Sequence, residues 1–396
     1  MKDAKTVIEF GTSKIACATA VPKNRSGFEV IGYVKNEYAG IKNGNWVEPS
    51  SVGNCLNDTI TELEKQTGAK IKTVEMALPA TFSDLHMETV SMGIHGNVNA
   101  SELDSLFSMA SQFPRGDSLK VVNQFSAWYM LEDGEIFIDA YGKRTSNITA
   151  GIISVLTNKY LIQDLKILTR NAGVYVQSII CEQLAEALAL IPEEKRDLIA
   201  ILIDAGYYST SISLVYGDAV LNTVTIDVGG GYVTDDIAYY MKMDKQTAER
   251  LKRQYSFGLE ENNDINYLFA KTADGNLSRY PYDMLKKIID SRMEHMVKQI
   301  MLTVKELEKS VGKQLTIYMT GGGFNYMPGI NSFFQAYCGR SPIQCRAANT
   351  KLAEPASQSM YALLEYAMNS NDDGAFFEDE VEEKGFFSKI SKKFFK

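Results

Sequence analysis

The chain is 396 residues long, which leaves room for two or more domains with substantial cores. Its apolar content of 45%, charged content of 23% and formal net charge of -8 fit a globular protein and argue against general nucleic-acid binding. The cysteines and histidines have no disulfide or metal-site spacing, and no apolar run approaches the ~20 residues that span a bilayer. Because residues 1–5 also lack a signal-peptide core, we expect a cytosolic protein.

The first predicted strand ends in an acid that is followed by a small polar loop. An apolar run leads into Glu9, and after the loop a return strand is predicted over residues 15–21. A carboxylate beside such a loop is suited to hold a divalent cation and phosphate oxygens. The candidate loop residues are Gly11, Thr12, Ser13 and Lys14.

A helix and a small insert are predicted next. Residues 50–67 carry apolar side chains at helical spacing, and residues 72–78 are typical of a strand. From about 83 to 163 alternating strands around a short helix predict an α+β insert, for which an interaction role and a purely structural role both stay open.

The chain then returns to helix and strand patterns, over residues 158–172 and 174–180. Glu182 begins an Ala/Leu-rich helix after them. The simplest explanation of this acid is a first-turn carboxylate that the helix dipole stabilises.

The opening pattern recurs in the second half. The continuous apolar run over residues 198–203 predicts a strand buried on both faces, and it stops at Asp204. Gly206, Ser209 and Thr210 follow in a small polar loop, and two more strands are predicted over 212–216 and 219–226. A buried strand with an ordinary hairpin would explain this stretch alone. Because acid, glycine, polar loop and return strand occur twice, we expect duplicated domains that face each other across a cleft.

Two further motifs involve glycine. Gly230 and Gly231 precede a helix that Thr234 or Asp235 would cap. The next helix carries Glu249, Lys252 and Arg253, and an exposed ion pair is the simple explanation of the first two, which are three positions apart. A strand over 315–319 then leads to a third glycine loop that contains Gly322, Gly323 and Phe324.

The C-terminal residues differ in kind. Residues 369–384 are acidic and are expected to be disordered, and 385–396 are predicted to form an amphipathic helix. Such a helix is suited to a membrane interface, where each lysine adds ~1 kcal/mol near anionic lipid. Docking of this helix on its own protein would not need so many lysines. The candidate membrane residues are Phe386, Phe387, Lys389, Ile390, Lys392, Lys393, Phe394, Phe395 and Lys396.

These motifs resemble FtsA, the actin-like division proteins of the actin/Hsp70/hexokinase ATPase superfamily. The resemblance rests on the loop motifs Gly11–Lys14, Asp204-x-Gly206, Gly230-Gly231-x-x-Thr234-x-Asp236, Ala248-Glu249-x-x-Lys252 and Thr320–Gly323, and on the tail. It implies an α/β actin-like ATPase fold, with two duplicated lobes around a nucleotide cleft, an FtsA-type 1C insert and a C-terminal amphipathic helix. Glu9 stands where the family has aspartate.

The resemblance also implies domain boundaries and a nucleotide site. Subdomain 1A would comprise 1–82 and 164–197, the 1C-like insert 83–163, subdomain 2A 198–228 and 305–368, and subdomain 2B 229–304. Glu9 and Asp204 would hold Mg²⁺, and Glu182 would position the attacking water. ATP would contact Gly11, Thr12, Ser13, Lys14, Gly206, Ser209, Thr210, Gly230, Gly231, Glu249, Lys252, Arg253, Gly322, Gly323 and Phe324.

The implied function is attachment of the division ring to the membrane. The protein would self-associate into filaments, lie on the inner face of the cytoplasmic membrane at the division site, and bind the FtsZ C-terminal peptide on 229–304. Tyr207 and Tyr208 replace glycines of the family's second loop, so hydrolysis is expected to be slow even if ATP binds. A non-hydrolysing actin-like scaffold and a PilM-like pilus-assembly protein stay open as alternatives. A chaperone or sugar kinase would need additions that are not found.

Overall fold

A computed structural model describes residues 3–23, 27–258 and 266–370. All predicted membrane residues from Phe386 to Lys396, and the acidic stretch beyond residue 370, lie outside these ranges. Among the helices within them, none combines the length and apolarity required to cross a bilayer.

The first stretch of chain forms three long antiparallel strands, a small hairpin, one long helix and a further strand. The elements are β1 (Lys5–Phe10), β2 (Lys14–Pro22), β3 (Phe28–Glu37), β4 (Ile41–Lys42), β5 (Asn45–Trp46), α1 (Pro49–Thr67) and β6 (Thr73–Leu78). The helix predicted over 50–67 is confirmed. It buries Val52, Leu56 and Leu63 and ends at Gly68, whose φ of 67° lies in the left-handed region that favours glycine.

The insert is an antiparallel sheet covered by one helix. Its elements are β7 (Asp84–Asn97), α2 (Ala100–Ala110), β8 (Leu119–Leu131), β9 (Ile136–Phe137) and β10 (Arg144–Asn158), and the strand order is β7-β10-β8-β9. The Asn99 and Glu102 side chains form a capping box at the start of α2. Leu106, Ile148 and Ile152 form an apolar core under α2. Phe125 and Ile153 belong instead to the core that contains Ile8, so the insert packs on the first sheet through its other face.

The next stretch carries the chain from the first sheet to the second. It contains α3 (Lys159–Asn171), β11 (Tyr175–Cys181), α4 (Glu182–Leu190), α5 (Glu193–Arg196), β12 (Ala200–Ala205), β13 (Thr210–Tyr216) and β14 (Ala219–Ile226). The strand predicted over 198–203 is misplaced by two residues. Leu198 is 64% exposed and Ile199 has a φ of 61°. The cause is Arg196, which is buried and donates to the carbonyls of Ile191 and Gly217, so the chain must turn before it enters the sheet.

The remaining elements surround the second sheet. They are α6 (Gly230–Met241), α7 (Lys245–Gln254), β15 (Tyr267–Lys271), β16 (Leu277–Pro281), α8 (Tyr282–Val311), β17 (Thr316–Thr320), α9 (Ile330–Cys338), β18 (Ile343–Gln344) and α10 (Gln358–Asn369). The expectation that Thr234 or Asp235 caps a helix is wrong, because both lie inside α6, whose cap is Gly229.

The backbone amides in the first turn of α6 donate hydrogen bonds to carbonyl groups outside the helix. The N–H of Gly230 donates to the carbonyl of Gly206 at 3.1 Å, and the N–H of Gly231 donates to the carbonyl of Tyr207 at 2.6 Å. These bonds satisfy donors that a capping side chain would otherwise have to satisfy. The helix therefore begins on the loop that follows β12.

Two five-stranded sheets repeat one topology. Their orders are β3-β2-β1-β6-β11 and β14-β13-β12-β17-β18. In each sheet the first three strands are antiparallel and the last two add in parallel. The predicted duplication is confirmed, and β1 and β12 hold the same central place with Glu9 and Asp204 near their carboxyl ends.

We call the first sheet with α1, α3, α4 and α10 the first lobe, and the second sheet with α6 to α9 the second lobe. The helix α10 belongs to the first lobe because it packs on α4, β1 and β2, where Met360, Leu363 and Leu364 are buried with Ile8 and Leu184. This helix lies within the range 305–368 that was assigned to subdomain 2A. The exact subdomain boundaries stay a prediction.

Candidate functional site

A cleft with a volume of about 730 Å³ contains both acid-bearing loops. Loop one is residues 9–14, from the end of β1 to the start of β2, and loop two is residues 204–210, from the end of β12 to the start of β13. The third glycine loop and α7 also border the cleft, so separate stretches of chain converge there. Of the predicted site residues, the lining includes Glu9, Gly11, Thr12, Ser13, Lys14, Glu182, Asp204, Gly206, Ser209, Glu249, Arg253, Gly322 and Gly323.

The other predicted nucleotide contacts lie behind this lining. They are Thr210, Gly230, Gly231, Lys252 and Phe324, and all are buried. Lys252 is 1% exposed, and its Nζ donates to the carbonyl of Gly230 at 3.0 Å. The Thr210 hydroxyl donates to the carbonyl of Val228 at 2.8 Å. In this structure they support the cleft wall, and direct contact with a ligand stays a prediction for them.

Loop one and loop two make the same turn. The N–H of Gly11 donates to the carbonyl of Lys14, and the N–H of Gly206 donates to the carbonyl of Ser209, each at 2.9 Å. The two loops also touch directly, because the N–H of Tyr208 donates to the Thr12 hydroxyl at 3.1 Å. The duplicated hairpins therefore face each other at hydrogen-bonding distance.

The third glycine loop is fixed to the end of β12. The N–H of Gly323 donates to the carbonyl of Ala205 at 2.6 Å. Gly321 has a φ of 88°, and a Cβ there would collide with the Asp204 carboxylate. Only glycine allows so close an approach of backbone to this acid.

Four acidic side chains, those of Glu9, Glu182, Glu186 and Asp204, line the cleft together with Lys14. Burial and then the neighbouring Glu9 charge raise the pKa of Asp204 to about 7. Burial, with the other carboxylates, also raises the pKa of Glu182 and of Glu186 well above the ordinary value. Although burial lowers the pKa of Lys14, the surrounding negative groups, Glu9 first, outweigh it and the net pKa is raised.

The acids suit a hydrated cation better than a fully protein-coordinated one. Within the described ranges, no group of three or more His, Cys, Asp or Glu side chains has the arrangement to hold a metal ion. Glu9 Oε2 and Glu186 Oε1 are buried and have no hydrogen-bond partner among the described residues. Mg²⁺ keeps several waters and is commonly bound through one or two carboxylates together with phosphates. The residues present therefore fit a magnesium ion that enters with a phosphate ligand.

On the side of α7, one carboxylate is held firmly in the ionised form. The Glu249 carboxylate accepts from the Thr234 hydroxyl at 2.5 Å and pairs with Lys252 at 2.7 Å and Arg253 at 2.8 Å. Burial opposes ionisation, but these partners outweigh it and lower the pKa of Glu249. The simple explanation of an exposed ion pair is wrong, because Lys252 is buried.

The two tyrosines of loop two have different surroundings. The ring of Tyr207 packs on Gly231, where a Cβ would come within 2.5 Å of two ring carbons. Tyr208 is 6% exposed, and its ring lies beneath the Lys42 ammonium, 3.8 Å from Nζ to the ring centroid. Tyr207 and Tyr208 are therefore built into the second lobe and its border with the first.

The family model for "Cell division protein FtsA" matches residues 201–365. The Pseudomonas aeruginosa protein of that name is 23% identical over 80% of this chain and 76% of its own length. A Staphylococcus epidermidis protein of the same name is 21% identical over 94% of this chain and 83% of its own length. The chain is related to FtsA.

Solved structures of other proteins match this chain at the level of fold. The PilM–PilN type IV pilus biogenesis complex matches with a TM-score of 0.62 and 15% identity, over 91% of this chain and 97% of that one. MreB5 of Spiroplasma citri bound to ADP matches with a TM-score of 0.54 and 10% identity, over 92% and 95%. The predicted actin-like fold is confirmed.

In this FtsA relative, sequence reasoning missed several cleft residues. Glu186 was detectable, because it lies one helical turn after Glu182 on α4. The partners of loop one were not, because they come from distant stretches of chain. The Tyr38 hydroxyl donates to the carbonyl of Gly11 at 2.8 Å, and Lys14 Nζ donates to the carbonyl of Ala356.

Proposed function

We propose that this chain is an actin-like cell-division protein that binds Mg–ATP in the cleft, self-associates and attaches FtsZ filaments to the inner face of the cytoplasmic membrane at the division site. The family and the relatives, all named Cell division protein FtsA, support the division role. The observation that carries nucleotide binding is the convergence of two glycine-containing loops, each with an acid, on one cleft.

The chemistry of the lining supports a phosphate ligand between the loops. Gly11 and Gly206 allow close approach of backbone amides to phosphate oxygens. Lys14 can exchange the carbonyl of Ala356 for a phosphate oxygen. Glu9 and Asp204 would hold the magnesium ion, which supplies the positive charge that phosphates need among these acids. Glu182, in the first turn of α4, would orient a water.

The ionised Glu249 supports a hydroxyl-bearing ligand at the other end of the cleft. A carboxylate that is fixed by three donors accepts hydrogen bonds from hydroxyls in a defined direction. Crystal structures of MreB5 bound to ADP and to AMPPNP, with TM-scores of 0.54 and 0.51, support nucleotide as a ligand for this fold.

Calorimetry with Mg–ATP tests the nucleotide site. The wild-type protein is expected to bind in the micromolar range, and Asp204→Ala is expected to weaken binding because it removes a carboxylate that orients the metal or its waters. Glu182→Ala should leave affinity near that of wild type and reduce any phosphate release. Equal affinity for wild type and Asp204→Ala would remove loop two from the site.

The predicted tail supports membrane attachment, and liposome sedimentation tests it. The full chain should sediment with anionic liposomes, whereas a chain that ends at residue 384 should not. Phe387→Asp should act like the truncation, because it brings a charge into the apolar side of the helix. Sedimentation of the truncated chain would contradict the proposal.

Two other functions have a specific basis. The PilM–PilN match favours a PilM-like assembly protein, and Tyr207 and Tyr208 favour a scaffold that binds nucleotide without hydrolysing it. Binding of an FtsZ C-terminal peptide, predicted on residues 229–304, separates the division role from the PilM-like one. Phosphate release by the purified protein with liposomes separates a slow ATPase from a scaffold.

A further inference from the structure

A lysine of the first lobe reaches a ring and an acid of the second lobe beside the cleft. Lys42, at the end of β4, has its Nζ 3.8 Å from the centroid of the Tyr208 ring and 3.3 Å from Asp235 Oδ2 on α6. The Tyr232 ring centroid is 5.7 Å away. Asp235 is shared, because its Oδ1 pairs with Lys245 at 2.6 Å. We call Lys42, Tyr208 and Asp235 the interlobe bridge.

On the first-lobe side, the bridge is rigidly connected to loop one. The N–H of Ile41 donates to the carbonyl of Thr12 at 3.3 Å. Gly40 has a φ of 89°, and a Cβ there would collide with the same carbonyl, so the hairpin of β4 and β5 lies directly on loop one. The Trp46 ring packs against Phe10, with ring centroids 6.0 Å apart. The hairpin must therefore move together with loop one.

On the second-lobe side, the bridge ends in loop two itself. Tyr208 is the residue whose backbone N–H donates to Thr12, and its hydroxyl lies 3.5 Å from Asp235 Oδ2. A glycine at position 208 would offer no ring to the Lys42 ammonium. A cation over the face of a tyrosine is attracted by the ring quadrupole, and more strongly where water is excluded, as it is at this buried ring.

We propose that Lys42 positions loop two against loop one, and that the interlobe bridge slows the release of nucleotide from the cleft. The second part depends on the proposed nucleotide binding, whereas the first does not. The bridge accounts for a bulky residue where glycine is expected: Tyr208 is the contact surface that joins the lobes. Lys42 does not line the cleft, so it acts through loop two and is a positioning residue.

The test uses the full chain with Lys42→Met, which keeps the length of the side chain and removes its charge. Lys143→Met is the matched control, because Lys143 Nζ lies 3.6 Å over the Phe137 ring in the insert and does not line the cleft. Lys42→Arg is the conservative variant, since arginine can make both contacts. One measurement, made without nucleotide, is hydrogen exchange of the Tyr208 amide, which donates to the Thr12 hydroxyl between the two loops. The other is the dissociation rate of a fluorescent ATP analogue.

We expect Lys42→Met to speed exchange of the Tyr208 amide and to raise the dissociation rate about 5- to 10-fold, the range that loss of a partly buried cation–π contact implies. Lys42→Arg and Lys143→Met should stay close to wild type. Adding Tyr208→Leu to Lys42→Met should increase the rate by less than the two single effects combined, because the two residues are in contact.

The outcomes that overturn the proposal are distinct. Unchanged exchange in Lys42→Met overturns the bridge, whatever the nucleotide does. Faster exchange with an unchanged dissociation rate overturns its role in nucleotide release. If the wild-type protein does not bind the analogue, the proposed nucleotide site fails, and the role in release fails with it, while the exchange measurement still decides whether Lys42 positions loop two.

Discussion

Loop one and loop two have the same backbone turn and opposite surroundings. In each, a glycine N–H donates to a carbonyl three residues later at 2.9 Å. Loop one carries its lysine in the cleft, between Glu9 and the carbonyl of Ala356. Loop two carries its tyrosines against α6 and Lys42 instead. The duplicated loops therefore share a backbone turn, while their side chains differ: loop one places a charge in the cleft, and loop two packs its rings between the lobes.

The largest loss of stability is expected from a substitution at the start of α6, the helix whose first amides bond to loop two. A Cβ at position 230 would collide with the carbonyl of Gly323, which is backbone and cannot swing away. We expect Gly230→Ala to lower the free energy of unfolding by about 3 kcal/mol. Denaturant unfolding measures this, with Gly116→Ala as control, because a Cβ there meets nothing within 4 Å. Equal stability of the two variants would show that the second lobe adapts easily.

The proposed role of loop one is tested most directly by removing the charge of Lys14. Lys14→Met should weaken Mg–ATP binding about 10- to 100-fold, because it removes a charge-assisted hydrogen bond to phosphate. Calorimetry measures the change. Lys35→Met is the control, since Lys35 also lines the cleft but pairs with Glu354 at 3.1 Å, and its side chain is 44% exposed. An affinity for Lys14→Met that equals that of Lys35→Met would contradict the assignment of the phosphate site to loop one.

The acids beneath the loops predict a pH-dependent stability. Because the pKa of Glu186 is raised in the folded state, this group favours folding at low pH and loses that contribution as the pH rises from the ordinary value of 4.5 through the folded-state pKa. Glu186→Gln should therefore gain stability relative to wild type as the pH rises, by about 1 kcal/mol. Thermal unfolding with chelator present measures it. The exposed Glu306→Gln should show no such trend.

The smallest effect is expected where loop two receives the glycines that the resemblance to FtsA implies. Replacing Tyr207 and Tyr208 by glycine should raise phosphate release a few-fold, because glycine lets the loop amides approach phosphate more closely. A phosphate-release assay at saturating Mg–ATP measures it. Loss of binding in this variant would mean that the rings are needed to shape the loop.

Strands, helices and loops that are determined by residues close together in the sequence could be predicted from it. The strands that lead to Glu9 and Asp204, the helix α1 and the repeated loops follow from apolar runs and glycines that are local signals. The start of α6 was missed because its amides bond to the carbonyls of Gly206 and Tyr207, which no pattern near Gly230 reveals. The burial of Lys252 was missed for the same reason, since its carbonyl partner belongs to another helix.

Contacts across the cleft lay beyond sequence reasoning altogether. Lys14 and Ala356 are 342 positions apart, and Thr12 and Tyr208 are 196 apart. Helical spacing did place Glu186 beside Glu182, so one missed site residue had a readable signal. Lys42 had none, because a two-residue strand in a short hairpin has no period from which to infer its partners.

The return of α10 to the first lobe has a consequence for synthesis. A chain that leaves the ribosome exposes its N-terminal segments first. The face of the first sheet that Met360, Leu363 and Leu364 cover stays open until nearly all of the described chain has been made. The second lobe, whose sheet lies between residues 200 and 344, has all its strands earlier. The half that begins the protein is therefore the half that is completed last, after every strand of the second sheet has been made.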